Sequence, residues 1–179
     1  MPDREIKFSL QETIQKVDLK ELLGRKPKPV EKEAFVQAAI ERIIERSQSN
    51  KSIDGRNFRQ YSKEYAEQKG VSRSDVDMTL LGDMLLSVKR QGSRSSDTVE
   101  FGIKGGVEAL KSYNHNVGDT VPRRQWFGLS IKEQKQIANQ IKSESFVDKT
   151  VREIKEDTQE RLLRLVESIS LTVEKDDKS

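Results

Sequence analysis

The stretch SVKRQGSRSSDTVEFGI, Ser87 to Ile103, decides how this chain is read. Its first run, SVKR, is strand-like, and in its last, TVEFGI, Val99, Phe101 and Ile103 alternate with Glu100 and Gly102. A period of two puts such a set of side chains on a single sheet face. Between the runs, QGSRSSD is polar and rich in Gly and Ser. Two such runs around a loop of this kind predict a β-hairpin.

Toward the N-terminus, DVDMTLLGDMLL predicts a short buried helix carrying Leu80, Leu81, Met84 and Leu85, with Asp77 placed to cap it. FRQYSKEYAEQK (58–69) suits another short helix with Phe58, Tyr61 and Tyr65 on one side, ending at Gly70. The Asp-Gly of NKSIDGRNF is a turn signal. EKEAFVQAAIERIIERSQS (31–49) is amphipathic: Val36, Ile40, Ile43 and Ser47 form one stripe, with Phe35, Ala39 and Ile44 beside it. On its outer face Glu41 neighbours Glu45 and Arg42 neighbours Arg46, so the i,i+4 charges are not ideal pairs. RKPKPV reads as a stiff connector. ETIQKVDLKELLG reads as a helix built on Ile14, Val17, Leu22 and Leu23 and closed by Gly24. REIKFSL reads as a strand showing Ile6, Phe8 and Leu10 on one face.

Toward the C-terminus, GGVEALKSYNHNVG offers a short helix ending near Asn114 to Gly118. SIKEQKQIANQIKSE follows VPRRQWFGLS and begins with a capping box, Ser130 at the N-cap and Glu133 three residues on. Ile131, Ile137, Ala138 and Ile141 form its expected inner face. VDKTVREIKEDTQERLLRLVESISLTV predicts a long amphipathic helix, with Val147, Val151, Ile154, Leu162, Leu165, Ile169 and Val173 along one stripe. The expected fold class is therefore α+β: a small antiparallel sheet with a β-hairpin packed against helices, plus the long C-terminal helix. The division is a domain over 1–145 and a helical extension over 146–179 with a frayed tail.

Composition narrows the function. At 179 residues the chain suits one ordinary domain. Its hydrophobic content is 33% against 35% charged residues, below the roughly 45–50% apolar content of typical globular chains. Part of the molecule must be solvated or must complete its burial against other subunits. The net charge of +3, from 33 basic and 30 acidic residues, is a weak pointer to nucleic acid, with the basic excess concentrated in 101–145. The absence of cysteine removes disulfides, thiol chemistry and cysteine-ligated metals. MPDREIKFSL lacks the marks of a signal peptide, and no segment approaches the ~18 apolar residues of a membrane span. The expectation is a protein made in the cytoplasm with no membrane partner.

No catalytic constellation emerges. His115 is the single histidine, too few for a zinc site built on His and Cys. Beside a turn it reads as a structural histidine bonded to a backbone carbonyl rather than a general base. FGIKGG lacks the spacing of a dinucleotide fingerprint and the ending of a P-loop. The carboxylates are scattered along solvated helix faces, with SDVD a turn or cap. The chain is expected to have no catalytic residue, no cofactor and no metal, and not to be an enzyme; an enzymatic alternative would need His115 as its base.

VPRRQWFGLS, Val121 to Ser130, concentrates what remains. Val121-Pro122 keeps the chain extended, Gly128 permits a change of direction, and Ser130 caps the next helix. Trp126 and Phe127 require burial, worth roughly 1.5–3 kcal/mol each. The candidates are the domain's own sheet and core, or a subunit boundary. Arg123 and Arg124 then face an acidic patch of a neighbour or DNA. The candidate interface residues are His115, Arg123, Arg124, Trp126 and Phe127, joined on the C-terminal helix by Leu162, Leu165 and Ile169.

In their order, YSKEYAEQKG, VDMTLLGDMLLSV, TVEFGI, SYNHNVG and VPRRQWFGLS resemble the virion-morphogenesis or tail-completion family of tailed phages. The matching positions are Leu81, Gly82, Asp83, Met84, Leu85 and Ser87, then Tyr113, His115 and Gly118. Pro122, Arg123, Trp126, Phe127, Gly128, Leu129 and Ser130 complete them, within residues 58–142. The sequence departs from the family where Arg123-Arg124-Gln125-Trp126 replaces Ala-Arg-Pro-Phe, and where Asn116-Val117 replaces Gln/Glu-Phe. The resemblance implies a small α+β neck subunit of the virion, forming a homo-oligomeric ring of six or twelve copies. Such a ring closes the upper end of the tail and joins it to the head-tail connector. The implied partners are other neck, connector and tail proteins, with non-specific contact to DNA in the lumen. A nucleic-acid-binding or regulatory adaptor using the basic 101–145 region is the alternative.

Overall fold

The structure is a computed structural model and describes residues 6–76, 82–118, 121–143, 146–150 and 152–156. At its centre are two seven-residue strands, β2 (Glu12–Asp18) and β4 (Thr98–Lys104). They are flanked by β1 (Ile6–Phe8) and β3 (Lys89–Gln91) in an antiparallel sheet of order β1-β2-β4-β3. The register sets Thr13 opposite Ile103, Gln15 opposite Phe101 and Val17 opposite Val99. These residues share one face, and all are buried. On the opposite face Lys16 stands across from Glu100, with Nζ 3.4 Å from Oε1. The division is not complete, since Ile14, opposite Gly102 on that second face, is also buried.

The expected hairpin is present as β3–β4, with Arg90 opposite Phe101. The expected helix over ETIQKVDLKELLG is corrected: Glu12–Asp18 is the central strand and only Leu19–Leu23, α1, is helical. Thr13, Ile14 and Val17 are β-branched, which favours the pleated surface of a sheet. Their alternation is masked because two inward positions, Thr13 and Gln15, carry polar side chains. Asp18 then caps the helix, accepting from the Glu21 N–H at 3.0 Å, and Gly24 closes it as expected.

The connector RKPKPV ends two residues earlier than expected, at Lys28. Pro29 is the first residue of α2 (Pro29–Gln48), where a missing N–H leaves no helix bond unmade. Phe35, Val36, Ala39, Ile43 and Ser47 of α2 are buried, and Ile40 and Ile44 are partly so. α3 is shorter than the pattern, Lys63–Lys69, because Ser62 caps it and the chain before it is not helical; Gly70 ends it. Phe58 and Tyr61 are buried, while Tyr65 is exposed. α4 (Gly82–Leu86) buries Met84 and Leu85; Asp77, Leu80 and Leu81 lie outside the described residues.

α5 (Gly106–Tyr113) packs on β2 and β4 and runs into a π turn over Asn114–Gly118. α6 (Ile131–Ile141) starts at the expected capping box and packs against α1 and α2. Its buried stripe is Gln134, Ile137, Ala138 and Ile141. Ile131, expected on that face, is exposed in the first turn; Gln134 is turned inward, where its Nε2 donates to the Leu129 carbonyl at 3.3 Å.

Residues 146–150 and 152–156 are helical. Val147 and Thr150 are buried, and Ile154 lies beside Pro29 and Val30 at the start of α2. Val147 belongs to the hydrophobic core, with Phe146 packed against it. The rest of the expected long helix, including Leu162, Leu165 and Ile169, lies outside the described residues. Among the described residues, no helix is long and apolar enough to cross a membrane.

Candidate functional site

The loop Val121–Ser130 has no regular backbone pairing, so its polar groups must be satisfied by side chains brought from elsewhere. Gln15 from β2 bonds Leu129 in both directions: Nε2 donates to the carbonyl at 3.0 Å, and Oε1 accepts from the N–H at 2.7 Å. Asn116 from the π turn accepts from the Phe127 N–H at 3.2 Å, while its Nδ2 donates to the Ser112 carbonyl at 2.8 Å. Arg46 from α2 donates through Nη2 to the carbonyls of Trp126 and Gly128, both at 2.7 Å. The Ile53 N–H donates to the Gln125 carbonyl at 2.8 Å.

These clamps seat Trp126 and Phe127 in the chain's own core, with 0% and 1% of their surface exposed. Phe127 meets Trp126 edge-on at 5.5 Å between ring centroids, Phe101 at 6.1 Å and Phe8 at 6.5 Å. Of the placements the sequence allowed, the loop is anchored on its own sheet, and neither ring offers surface to a partner. Gly128 is at φ 96, and a Cβ there would stand 2.6 Å from Ile6 Cδ1. Glu133 both caps α6 and holds Arg46. Burial pushes its carboxyl upward, but the Arg46 charge and the Ser130 bonds outweigh that and hold it below the ordinary range.

His115 and the two arginines meet where the loop crosses the π turn. The Arg124 N–H donates to the His115 carbonyl at 2.6 Å. His115 Nδ1 is buried without a hydrogen-bond partner among the described residues. Burial, with the nearby Arg124 charge, pushes the imidazole down to about 4. It is neutral at physiological pH. The Arg124 guanidinium rests 5.1 Å from the centre of the Tyr61 ring, a cation–π contact. Its Nη2 makes a long 3.4 Å bond to the Arg59 carbonyl. Arg124 is only 5% exposed, and no carboxylate among the described residues pairs with it. Arg123 is exposed and donates through Nε to the Asn116 carbonyl at 3.2 Å.

Arg123 and Arg124 open onto a pocket of about 420 Å³ whose other wall is the turn around Gly55. Arg56 and Arg59 line that wall, so the sequence-distant pairs 56/59 and 123/124 converge. Asp54 is the carboxylate in the lining, bonded to Arg56 Nε at 2.9 Å and to the Ser52 hydroxyl. The Ser52 bond is the largest influence holding Asp54 below its usual range.

A second surface feature is apolar. Leu86 of α4 is 77% exposed, and on α5, which packs against α4, Val107 is 64% and Leu110 43% exposed. Spacing of three residues puts Val107 and Leu110 on one helix face. Val117 in the π turn is also exposed. Among the described residues no group of three or more His, Asp or Glu side chains is arranged to hold a metal. No protein-family model matches this chain, and no match was found among curated proteins or solved structures.

Sequence reasoning singled out His115, Arg123 and Arg124, which the fold brings together. It missed Arg46, Gln15 and Asn116, which hold the loop, and Arg56 and Arg59, which complete the pocket. Arg46 lies on the helix flank next to α6 and carries no local signal. The polar residue at an inward strand position, Gln15, was the available clue.

Proposed function

We propose that the chain is a structural, non-catalytic subunit of a phage neck that assembles as a homo-oligomeric ring and joins the tail to the connector. The resemblance over residues 58–142 supports this reading through the order of its motifs. In the fold, the His115–Gly118 turn and the Pro122–Ser130 loop form one interlocked unit through Asn116. The observation that carries the reading is the exposure of large apolar side chains on two helices in contact, Val107 and Leu110 on one face of α5 and Leu86 on α4. Large apolar side chains gathered on neighbouring helices suit a surface covered by another subunit. In a closed ring such a face meets a different face of the next copy. Cryo-electron microscopy of the purified protein tests this: ring-shaped classes of six- or twelvefold symmetry are expected, and isolated single subunits at every concentration overturn it.

The second reading, a nucleic-acid-binding adaptor, is favoured by the arginine-lined pocket, whose chemistry suits an anionic partner.

A further inference from the structure

We propose that the pocket between the turn at residues 52–59 and the Arg123–Gln125 segment is a phosphate site that takes the phosphodiester backbone of nucleic acid. This rests on and deepens the nucleic-acid reading, and does not depend on the ring reading.

Charge is the first support. Arg56, Arg59, Arg123 and Arg124 line one pocket, and Asp54 is the carboxylate beside them, already engaged by Arg56 and Ser52. Other arginines are paired with carboxylates, Arg25 with Glu31, Arg46 with Glu133 and Arg90 with Glu33, while exposed or half-exposed ones such as Arg42 and Arg152 can rely on solvent. Arg59, Arg123 and Arg124 have no carboxylate partner among the described residues. For Arg124 the consequence is sharpest, since a buried charge without a counter-ion is costly. An anion entering the pocket would supply the missing charge.

Geometry is the second support. Arg124 is fixed over Tyr61 and tied to the Arg59 carbonyl, and Arg123 is fixed through Nε on Asn116. Immobilised guanidinium forks lose little freedom on binding and match the spacing of phosphate oxygens. Asn57 and Gln125 also line the pocket, and Asn57 is oriented by accepting from Lys51 Nζ at 2.5 Å.

The lining also selects among anions. Phe58 is its apolar contribution, and the exposed apolar residues Leu86, Val107 and Leu110 belong to α4 and α5. A docked acidic peptide would find little apolar wall for its side chains, and a lipid no apolar rim for its tails. A phosphodiester needs neither.

The test uses the full chain and a short labelled DNA duplex, with binding read by fluorescence anisotropy over a range of salt. Arg56 and Arg59 are exposed, so the double variant Arg56→Gln, Arg59→Gln is expected to fold. It should lose about tenfold or more in affinity and flatten the salt dependence by about two charges. Lys132→Gln with Lys135→Gln on exposed positions of α6 removes the same charge away from the pocket and should change affinity less than about twofold. Arg59→Lys keeps the charge but loses the fork, and should fall between wild type and the double variant. Inorganic phosphate should displace the DNA. Equal losses in the two double variants, no DNA binding at low salt, or tighter binding of a glutamate-rich peptide than of DNA would each overturn the proposal. Oligomeric state measured on the same samples separates this outcome from the ring reading, because pocket binding is expected whether or not rings form.

Discussion

Arg46 and Glu133, 87 residues apart in the chain, form an ion pair in which the single nitrogen Nη1 lies 2.7 and 2.8 Å from the two carboxylate oxygens. The Arg46 and Glu133 side chains are 8% and 14% exposed, so the pair is shielded from solvent. The same guanidinium holds two carbonyls of the Trp126–Gly128 segment, and the same carboxylate caps α6. One contact therefore ties α2, the loop and α6 together.

Removing Arg46 leaves Glu133 buried without its counter-charge and two loop carbonyls without donors. Arg46→Ala is expected to cost about 3–5 kcal/mol in urea unfolding. Arg46→Lys should recover only part of this, because an ammonium cannot span both the carboxylate and the carbonyls in one plane. Full recovery by lysine would show that charge alone matters there.

His115 gives the stability a signature in pH. Its folded-state value of about 4 lies below the unfolded value of 6.5, so between those limits the unfolded chain holds a proton that the folded chain does not. Stability is complete above about pH 6.5 and falls as pH drops toward 4, by about 3 kcal/mol in all. The carboxyls of Glu31, Glu133 and Asp54 are held below their ordinary range, so their contribution is lost only at lower pH. With one histidine in the chain, His115→Gln should flatten the profile between pH 6.5 and 4.5, as followed by chemical denaturation at each pH. An unchanged slope would place the imidazole in solvent.

Gly102 sits in β4 between its partners Ile14 and Lys89. A Cβ there would lie 2.0 Å from the Thr13 carbonyl oxygen. Because the obstacle is backbone of the adjacent central strand, no side chain can swing aside. Gly102→Ala is expected to lose at least about 3 kcal/mol or to fail to fold. A thermal midpoint near wild type would contradict this packing.

The apolar face makes a separable prediction. Val107→Glu with Leu110→Glu changes exposed positions, so the thermal midpoint should stay within a few degrees, while assembly, followed by sedimentation velocity, should fall to single subunits. Retained assembly would move the subunit contact to another surface.

Legibility followed how local each signal was. The hairpin, α2, the Ser130 capping box and the Gly70 stop are written in neighbouring residues, and the fold uses them as read. The strand Glu12–Asp18 was misread because Gln15 faces inward to bond Leu129, so a polar residue stands where the pattern wants an apolar one. The pocket was half visible in Arg123 and Arg124. Its other half, Arg56 and Arg59, comes from a turn that has no sequence relation to that loop and is carried there by the Ile53–Gln125 backbone bond.

Native mass spectrometry of the purified full chain, across a range of concentrations, tests the central claim most directly. A dominant closed assembly of six or twelve copies that disappears in the Val107→Glu, Leu110→Glu variant is the result predicted. A single-subunit mass at every concentration would contradict it.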